Sequence, residues 1–553
     1  MQTRSPHWKL APALVLAAAF AFANGLNYGA GNLRQYLIHG LRSLDPSFLA
    51  NDWFAAQTPP VHPLFTGVII LLSKVGPLNI VMGLANGLFS MIFAMTVYSL
   101  IVRFFSRPVL TLGTVLLIIV FSPLNSLGWS YIIANYFQPS TIGGVGLLMG
   151  IALLIHQRHL AASLVLAIAG LFHAGYLTWI LVLVAAIVVF DWKKTSWSQR
   201  MFLCLPLIGP FAYHAPLLLS ATSDPEIFQK ASHVLHHIFV PQHFAPRTWG
   251  PTPFLQFATL MILGYAALKV CPPKRPLNRR AMIALGTCLG IVVVGALLTI
   301  PVRVPLVVSL FPYRIAAFLR LAAQIAIAAA LIDCLVSNRL SLLKSIGLCT
   351  LLVAGLYYCG ISVVGLKLMA QVMLPAIAIR IVSHSALHTQ RILQPLRLGP
   401  AVAVILAIAL LTRQGLVRKD TFGRKKPPEL AELYDWCQTR TDKDAIFVVP
   451  PDFIDFRISA RRAVVADWKC MPIRPQDTVE WYRRLTFVCG RQFQSLGEAN
   501  RSYLELDTDR AKKLSREFGA RYVVTYPNHR HNLSPLQPAF SNEAYAVVDL
   551  NIE

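Results

Sequence analysis

Apolar stretches of about 18–22 residues recur from Leu10 to Leu411, each long enough to cross a bilayer as a helix. The first runs outward near Leu10–Tyr28, and an amphipathic piece at Leu33–Leu44 follows in a long polar loop. Helices over Val68–Phe105 return to a short basic turn, Arg103-Phe-Phe-Ser-Arg107. Further spans centre near residues 118, 149, 166, 183, 211, 262, 290, 326, 354, 374 and 405. The total is 12 to 14, depending on whether Val61–Leu72 crosses or re-enters, and about 13 fits the loop charges best. Beyond Arg413 the pattern changes. Short strand-like runs at Ala445–Val449, Ala463–Ala466, Arg521–Tyr526 and Tyr545–Leu550 alternate with helical patterns at Thr478–Leu485 and Asp509–Phe518. The expected organisation is a transmembrane domain over 1–412 with a long first outer loop at about 30–65, a basic linker at 413–428, and a soluble α/β domain at 429–553.

Composition supports this division. The chain is 55% hydrophobic and only 14% charged, well below the quarter charged of a soluble domain. Of its 25 acids only six precede Arg413: Asp45, Asp52, Asp191, Asp224, Glu226 and Asp333. The net charge of +25 is explained by loops on the cytoplasmic side, with clusters at Lys193–Lys194–Arg200, Lys274–Arg275–Arg279–Arg280 and Arg391–Arg397. Nucleic acid therefore has no claim as a partner. With thirteen spans the C-terminal domain lies outside the membrane, although the basic juncture at Arg418–Lys426 runs against that placement. There is no CxxC, GxGxxG or P-loop. A disulfide among Cys437, Cys470 and Cys489 is open, with no pairing preferred.

The candidate chemistry sits in the outer loops. Asp45 precedes Pro46 and suits a turn, while Asp52 stands between Asn51 and the aromatic pair Trp53-Phe54. A hydroxyl that attacks an activated sugar must lose its proton, and a positioned carboxylate is the usual general base. Asp52 is the expected base, with Asp45 in support and Trp53 beside it. The leaving phosphate needs cationic or hydrogen-bonding partners. His236 and His237 in a His-rich segment, His173 at a span end, Arg303 and Arg314 in Pro301–Arg320, and Trp53 of the first loop are the expected substrate and phosphate contacts. A divalent metal on the histidines with Asp224 or Glu226 is a lesser alternative, so no cofactor is expected.

Several short motifs carry a resemblance: Asp45-Pro, Asn51-Asp-Trp-Phe54, His236-His237 with Pro246, and Phe311-Pro-Tyr-Arg314. In the tail they are Pro450-Pro-Asp-Phe453 with Phe456-Arg457, Arg461–Lys469, and Glu480-Trp-Tyr-Arg483. With this layout the chain resembles the GT-C integral-membrane glycosyltransferases, and among them an uncharacterised bacterial membrane-protein family. The resemblance implies a bacterial inner-membrane enzyme using a polyprenyl-phosphate-linked sugar donor at the outer face. A catalytic Asp would lie in the first outer loop, and an extracytoplasmic C-terminal domain would follow the spans. The acceptor, a glycan, lipid or protein, is not specified. Metal-dependent members bring acids from a second outer loop. Here Leu127–Gly144 has none, which favours an inverting, metal-independent transferase. Asp452, Arg457, Arg462 and Lys469 are the tail residues expected to face the acceptor, against the plainer reading of ion pairs that tie loops together.

Three rivals stay open. A transporter or flippase would line its path with Asn24, Asn27, Pro123 and Asn125. A glycan polymerase or ligase would work through Arg and His without a carboxylate base. A non-catalytic assembly factor would use the tail to recruit a partner.

Overall fold

The computed structural model describes residues 10–105, 108–121, 126–221, 224–274, 277–302, 304–336, 341–360 and 426–550. Among these, four stretches are long and apolar enough to span a membrane: Leu78–Phe104, Thr252–Val270, Arg279–Thr299 and Val307–Cys334. Shorter apolar helices lie at Pro12–Asn24, Pro63–Ser73, Pro139–Ile155, His159–Phe172, Ala174–Phe190 and Leu343–Tyr358. The chain is a multi-pass membrane protein. The expected spans near 374 and 405, and most of the basic linker, lie outside the described residues.

Local chemistry explains where the helices stop. The first ends at Asn24, short of the expected Tyr28, because Gly25 takes φ 106°. The Asn24 amide then donates to Ser90 Oγ (3.0 Å) and Ala134 O (2.9 Å), and Asn86 donates to Gly25 O (2.7 Å). These polar groups pin the chain's exit from the bundle and are not free to line a transport path. Pro63–Ser73 has 11 residues and is about 16 Å long, roughly half the hydrocarbon thickness, so it does not cross by itself. The amphipathic helix at Leu33–Leu44 falls where the pattern places it, with Leu33, Leu37 and Ile38 buried.

The spans share a polarity. Ala174–Phe190 starts at His173 and ends at Asp191, which pairs with buried Arg280 (2.9 Å) at the start of Arg279–Thr299. Asn278 donates to Ile155 O (2.8 Å), and the Lys274 amide to Phe104 O (3.0 Å). One end of the bundle therefore gathers the basic loops, and His173 and Thr299 mark the other.

The tail forms a mixed sheet of five strands: β1 (Ile446–Val448), β2 (Ala463–Val464), β3 (Ala520–Thr525), β4 (Pro538–Ser541) and β5 (Ala546–Asp549). Their order is β2-β1-β3-β5-β4, with β2, β1 and β3 parallel and β5 antiparallel to both neighbours. Alternate residues serve two cores. Phe447, Tyr522, Val524 and Val547 meet the helix Pro428–Arg440, while Val448, Val523 and Val548 meet Thr508–Phe518. Strand β4 and the helices Pro428–Arg440 and Leu496–Tyr503 are additions to the sequence expectation. Cys437, Cys470 and Cys489 are all buried and unbridged.

A third core joins the tail to the outer loops. Phe48, Leu49, Trp53 and Phe54 of the first loop and Val234 and Ile238 of the His-rich segment pack with Trp468, Trp481 and Phe493. Arg34–Asp455 and Asp45–Arg461 pairs rim this contact.

Candidate active site

Where the first loop, the His-rich segment and the tail meet the membrane ends of the spans, they enclose a cavity of about 420 Å3. His173, Phe311 and Arg314 form its membrane side; Gln35, Tyr36, His236 and His243 form its walls; Lys469, Met471 and Thr478 come from the tail. None of its lining residues is Asp or Glu, and its charged residues are Arg314 and Lys469.

Arg314 is placed by a break in its span. Phe311 adopts the left-handed region (φ 50°) after Pro305–Leu310, and a single tight turn, Pro312–Ile315, leads into Ala316–Val336. Gly295 admits the Pro312 ring, since a Cβ there would come within 2.5 Å of it. Tyr313 fixes the turn through its hydroxyl, 2.8 Å from Thr299 Oγ1, and its carbonyl, which accepts from Ser130 Oγ at 3.1 Å. The Arg314 guanidinium lies 5.1 Å from the Tyr176 ring centroid and 4.9 Å from that of Phe311. Its Nη1 donates to His173 Nε2 (3.3 Å), and its buried Nε has no partner among the described residues. Aromatic faces and a neutral imidazole hold this cation, and no described carboxylate pairs with it. A half-buried cation so held is a prepared site for an anion.

His243, which sequence reasoning passed over, is oriented as well. Its Nδ1 lies 2.6 Å from Gly128 O, and because a carbonyl only accepts, Nδ1 carries the proton and Nε2 keeps its lone pair. Gly128 at φ 64° permits this, since a Cβ there would come within 2.7 Å of the Phe311 ring. Burial lowers the His243 pKa to about 4; the Gly128 bond partly opposes this, and Arg314 and Lys469 add to it. His236 also drops to about 4, through burial and then His237 and His233. Its Nε2 is 3.5 Å from Ser309 Oγ, and its ring rests on Phe244.

The structure thus brings together His173, His236, Arg314 and Lys469 from the expected set. Asp52 is elsewhere. It is fully buried at the start of the short helix Trp53–Gln57, where Oδ1 accepts from the Ala55 amide (2.9 Å). Its Oδ2 accepts from Arg457 Nε (2.7 Å) and from the amide of Val464 on edge strand β2 (2.9 Å). With both oxygens engaged and no cavity face, the carboxylate caps a helix and a sheet edge, and the expected base assignment is corrected. Arg457 is committed too: Nη1 pairs with Asp467 and Nη2 donates to Val464 O (3.1 Å). Burial opposes its charge, but Asp52 and Asp467 outweigh that and raise its pKa.

The other expectations resolve as follows. Asp45 is exposed and turns the chain by accepting from the Ser47 amide and hydroxyl. Trp53 is buried under the Arg484 guanidinium, 4.6 Å from its ring, and does not line the cavity. His237 is exposed, its ring beside that of His233. Arg462 donates to Gln438 O and Thr441 O, closing the helix Pro428–Arg440. Asp452 is exposed, in the turn before Phe456–Ser459, and does not line the cavity. Arg303 lies outside the described residues. Asp224 caps its own helix and Glu226 pairs with Lys230 (2.6 Å). No three His, Cys, Asp or Glu side chains converge on a metal-sized site among the described residues.

Residues 428–488 match a family described as a domain of unknown function (DUF6798). No curated protein matches the chain. Among solved structures it is similar to ArnT from Cupriavidus metallidurans bound to undecaprenyl phosphate, with a TM-score of 0.54 and 15% identity over 99% of this chain and 98% of that one. The same protein in the apo state gives 0.52 and 16%, covering 98% of each chain. Likeness at that identity is likeness of architecture: over nearly its whole length the chain has the fold of ArnT, a GT-C glycosyltransferase.

Proposed function

We propose that the chain is a bacterial inner-membrane glycosyltransferase that moves a sugar from a polyprenyl-phosphate donor to an acceptor on the extracytoplasmic face. The observation that carries this reading is the acid-free cavity at the membrane boundary, with half-buried Arg314 held against Tyr176 and His173 and no described carboxylate beside it. The fold shared with a protein crystallised with undecaprenyl phosphate supports a lipid-phosphate ligand. Orientation follows from charge. The basic loops gather at the end of the bundle away from the cavity, which by the positive-inside rule supports an outer-face cavity and tail.

The chemistry is a displacement with inversion. An acceptor hydroxyl attacks the anomeric carbon, the bond from that carbon to the phosphate oxygen breaks, and the electron pair leaves with the phosphate. Arg314 meets the charge that grows there. His243 Nε2, with its lone pair set by the Gly128 bond, receives the hydroxyl proton. Once phosphate occupies the cavity its negative charge raises the His243 pKa toward neutrality, which makes the imidazole a better base when substrate is bound. Base catalysis thus passes from the expected Asp52 to an imidazole. The donor set of imidazoles, hydroxyls and two cations suits a metal-independent reaction.

The test is binding of undecaprenyl phosphate to the full chain in nanodiscs of neutral lipid. We expect saturable binding that Arg314→Met weakens by about 10–100-fold, the loss of one charge-assisted contact. Absence of binding to the unmodified chain, or equal binding to Arg314→Met, overturns the reading.

A further inference from the structure

We propose that Lys469 is a second anion-binding residue, delivered into the membrane cavity by the tail and serving an anionic group other than the donor phosphate at Arg314. The proposal rests on the transferase reading for the identity of the first anion. It stands independently on how Lys469 is held.

Several cations of the tail have acidic partners. Arg461 meets Asp45, Arg474 meets Asp477, Arg483 and Arg484 meet Glu480, Arg491 meets Glu505 and Arg521 meets Asp442. Lys469 forms no such pair among the described residues, although the tail holds 19 of the chain's 25 acids. It is half-buried on the cavity wall. Burial, first of all, lowers its pKa.

The backbone around it is fastened on every side. Asp467 Oδ1 accepts from the amides of Lys469 (2.7 Å) and Cys470 (2.8 Å), and Asp467 Oδ2 pairs with Arg457, which pairs with Asp52. The Trp468 amide donates to Pro451 O (2.8 Å), and Trp481 Nε1 donates to Asp467 O (2.8 Å). On the far side Met471 O accepts from Gln35 of the first outer loop. A long flexible side chain whose root is this constrained cannot follow solvent, and a confined ammonium in an acid-free cavity loses hydration that only an anion restores. The buried chain Asp52–Arg457–Asp467 therefore has a use beyond docking: it fixes where Lys469 enters. These three are positioning residues.

Charge gives the ligand chemistry. A sugar phosphodiester brings one negative charge, whereas the cavity presents two cations, Arg314 and Lys469, both of which act on His243. The second negative charge comes from the second phosphate of a diphosphate-linked donor or from an acidic group on the acceptor.

The experiment uses the full chain in neutral nanodiscs, unmodified and as Lys469→Met, with Arg314→Met as control. Each is titrated with undecaprenyl phosphate, with undecaprenyl diphosphate, and with inorganic phosphate before and after saturation with undecaprenyl phosphate. We expect Lys469→Met to keep undecaprenyl phosphate affinity within about threefold while losing about tenfold for the second anion. If the loss falls on undecaprenyl diphosphate, the donor is the source. If it falls on inorganic phosphate bound to the lipid-loaded chain, the acceptor is. Unchanged titrations overturn the proposal, and so does a loss for undecaprenyl phosphate as large as that of Arg314→Met. Failure of the unmodified chain to bind undecaprenyl phosphate sinks the transferase reading, while inorganic phosphate on the unloaded chain still judges Lys469.

Discussion

Two arginines approach the first outer loop and have opposite surroundings. Arg457 is fully buried between Asp52 and Asp467, with Nε, Nη1 and Nη2 all donating to protein acceptors. Arg314 is wrapped by Tyr176, Phe311 and His173, has no described carboxylate beside it, and leaves Nε without a partner among the described residues. A charge whose partners are all built in has nothing left to offer a ligand, and its worth is structural. A charge kept in place without a counter-charge is incomplete until something anionic arrives. On the proposed reading the ligand-binding residue is the one the protein leaves unsatisfied, and satisfaction marks the scaffold.

The sharpest way to break this contrast is truncation at each centre. Arg457→Ala strands two buried carboxylates and is expected to cost about 3–5 kcal/mol, read as a lower denaturation midpoint and faster proteolysis of the tail. Arg314→Met removes a cation that no described acid needs, and its stability should change by about 1 kcal/mol or less. Equal stability losses would erase the distinction.

Next comes His243→Gln. A fall in turnover of about 100-fold at unchanged undecaprenyl phosphate affinity is the expected signature of a proton acceptor. Unchanged turnover would return the search for a base to other residues. Asp52→Asn separates the two centres from the opposite side. It keeps the shape but halves the negative charge facing Arg457, so a stability loss of about 1–3 kcal/mol is expected, with turnover per folded molecule within a few-fold of normal. A 100-fold drop in turnover with the midpoint unmoved would restore Asp52 as the base.

The smallest effect is acid sensitivity. His236 and His243 are held neutral by burial, with folded pKa values of about 4 against 6.5 for the free side chain. Between those values the unfolded chain binds more protons, so stability falls as pH drops from about 6.5 to about 4 and levels off below. Replacing both by Gln should flatten that part of a thermal-melt profile against pH.

How much of this was legible beforehand depends on the kind of signal. The amphipathic repeat at Leu33–Leu44 falls where its periodicity places it, and apolar helices occupy several of the expected runs, because helix burial in lipid or at its surface is a local property of composition. Strands β1, β3 and β5 read from their β-branched runs. Strand β4 did not, because Pro538-Ala-Phe-Ser541 at a sheet edge lacks that composition. Arg314 was visible as a cation at a span end, where charge is costly without a purpose. His243 was hidden inside a His-rich segment, since nothing in Pro241-Gln-His-Phe244 says which ring nitrogen meets a carbonyl 115 residues away.

The amino-acid sequence by itself determined that this chain crosses a membrane many times and that its tail is an α/β unit. It did so through hydropathy, charge and period, which each residue carries with it. Which charges are spent was decided only by tertiary structure. Asp52 and Arg457 stand 405 positions apart, and their union removes from the site the carboxylate that looked most like its base. Lys469 is two positions from Asp467, which could neutralise it, yet the fold turns that acid onto Arg457 and onto the Lys469 backbone, and Lys469 lines the cavity with no ion pair among the described residues. The physical reason is that a hydrogen-bond partner is a matter of direction as well as composition, and direction exists only once the chain has folded.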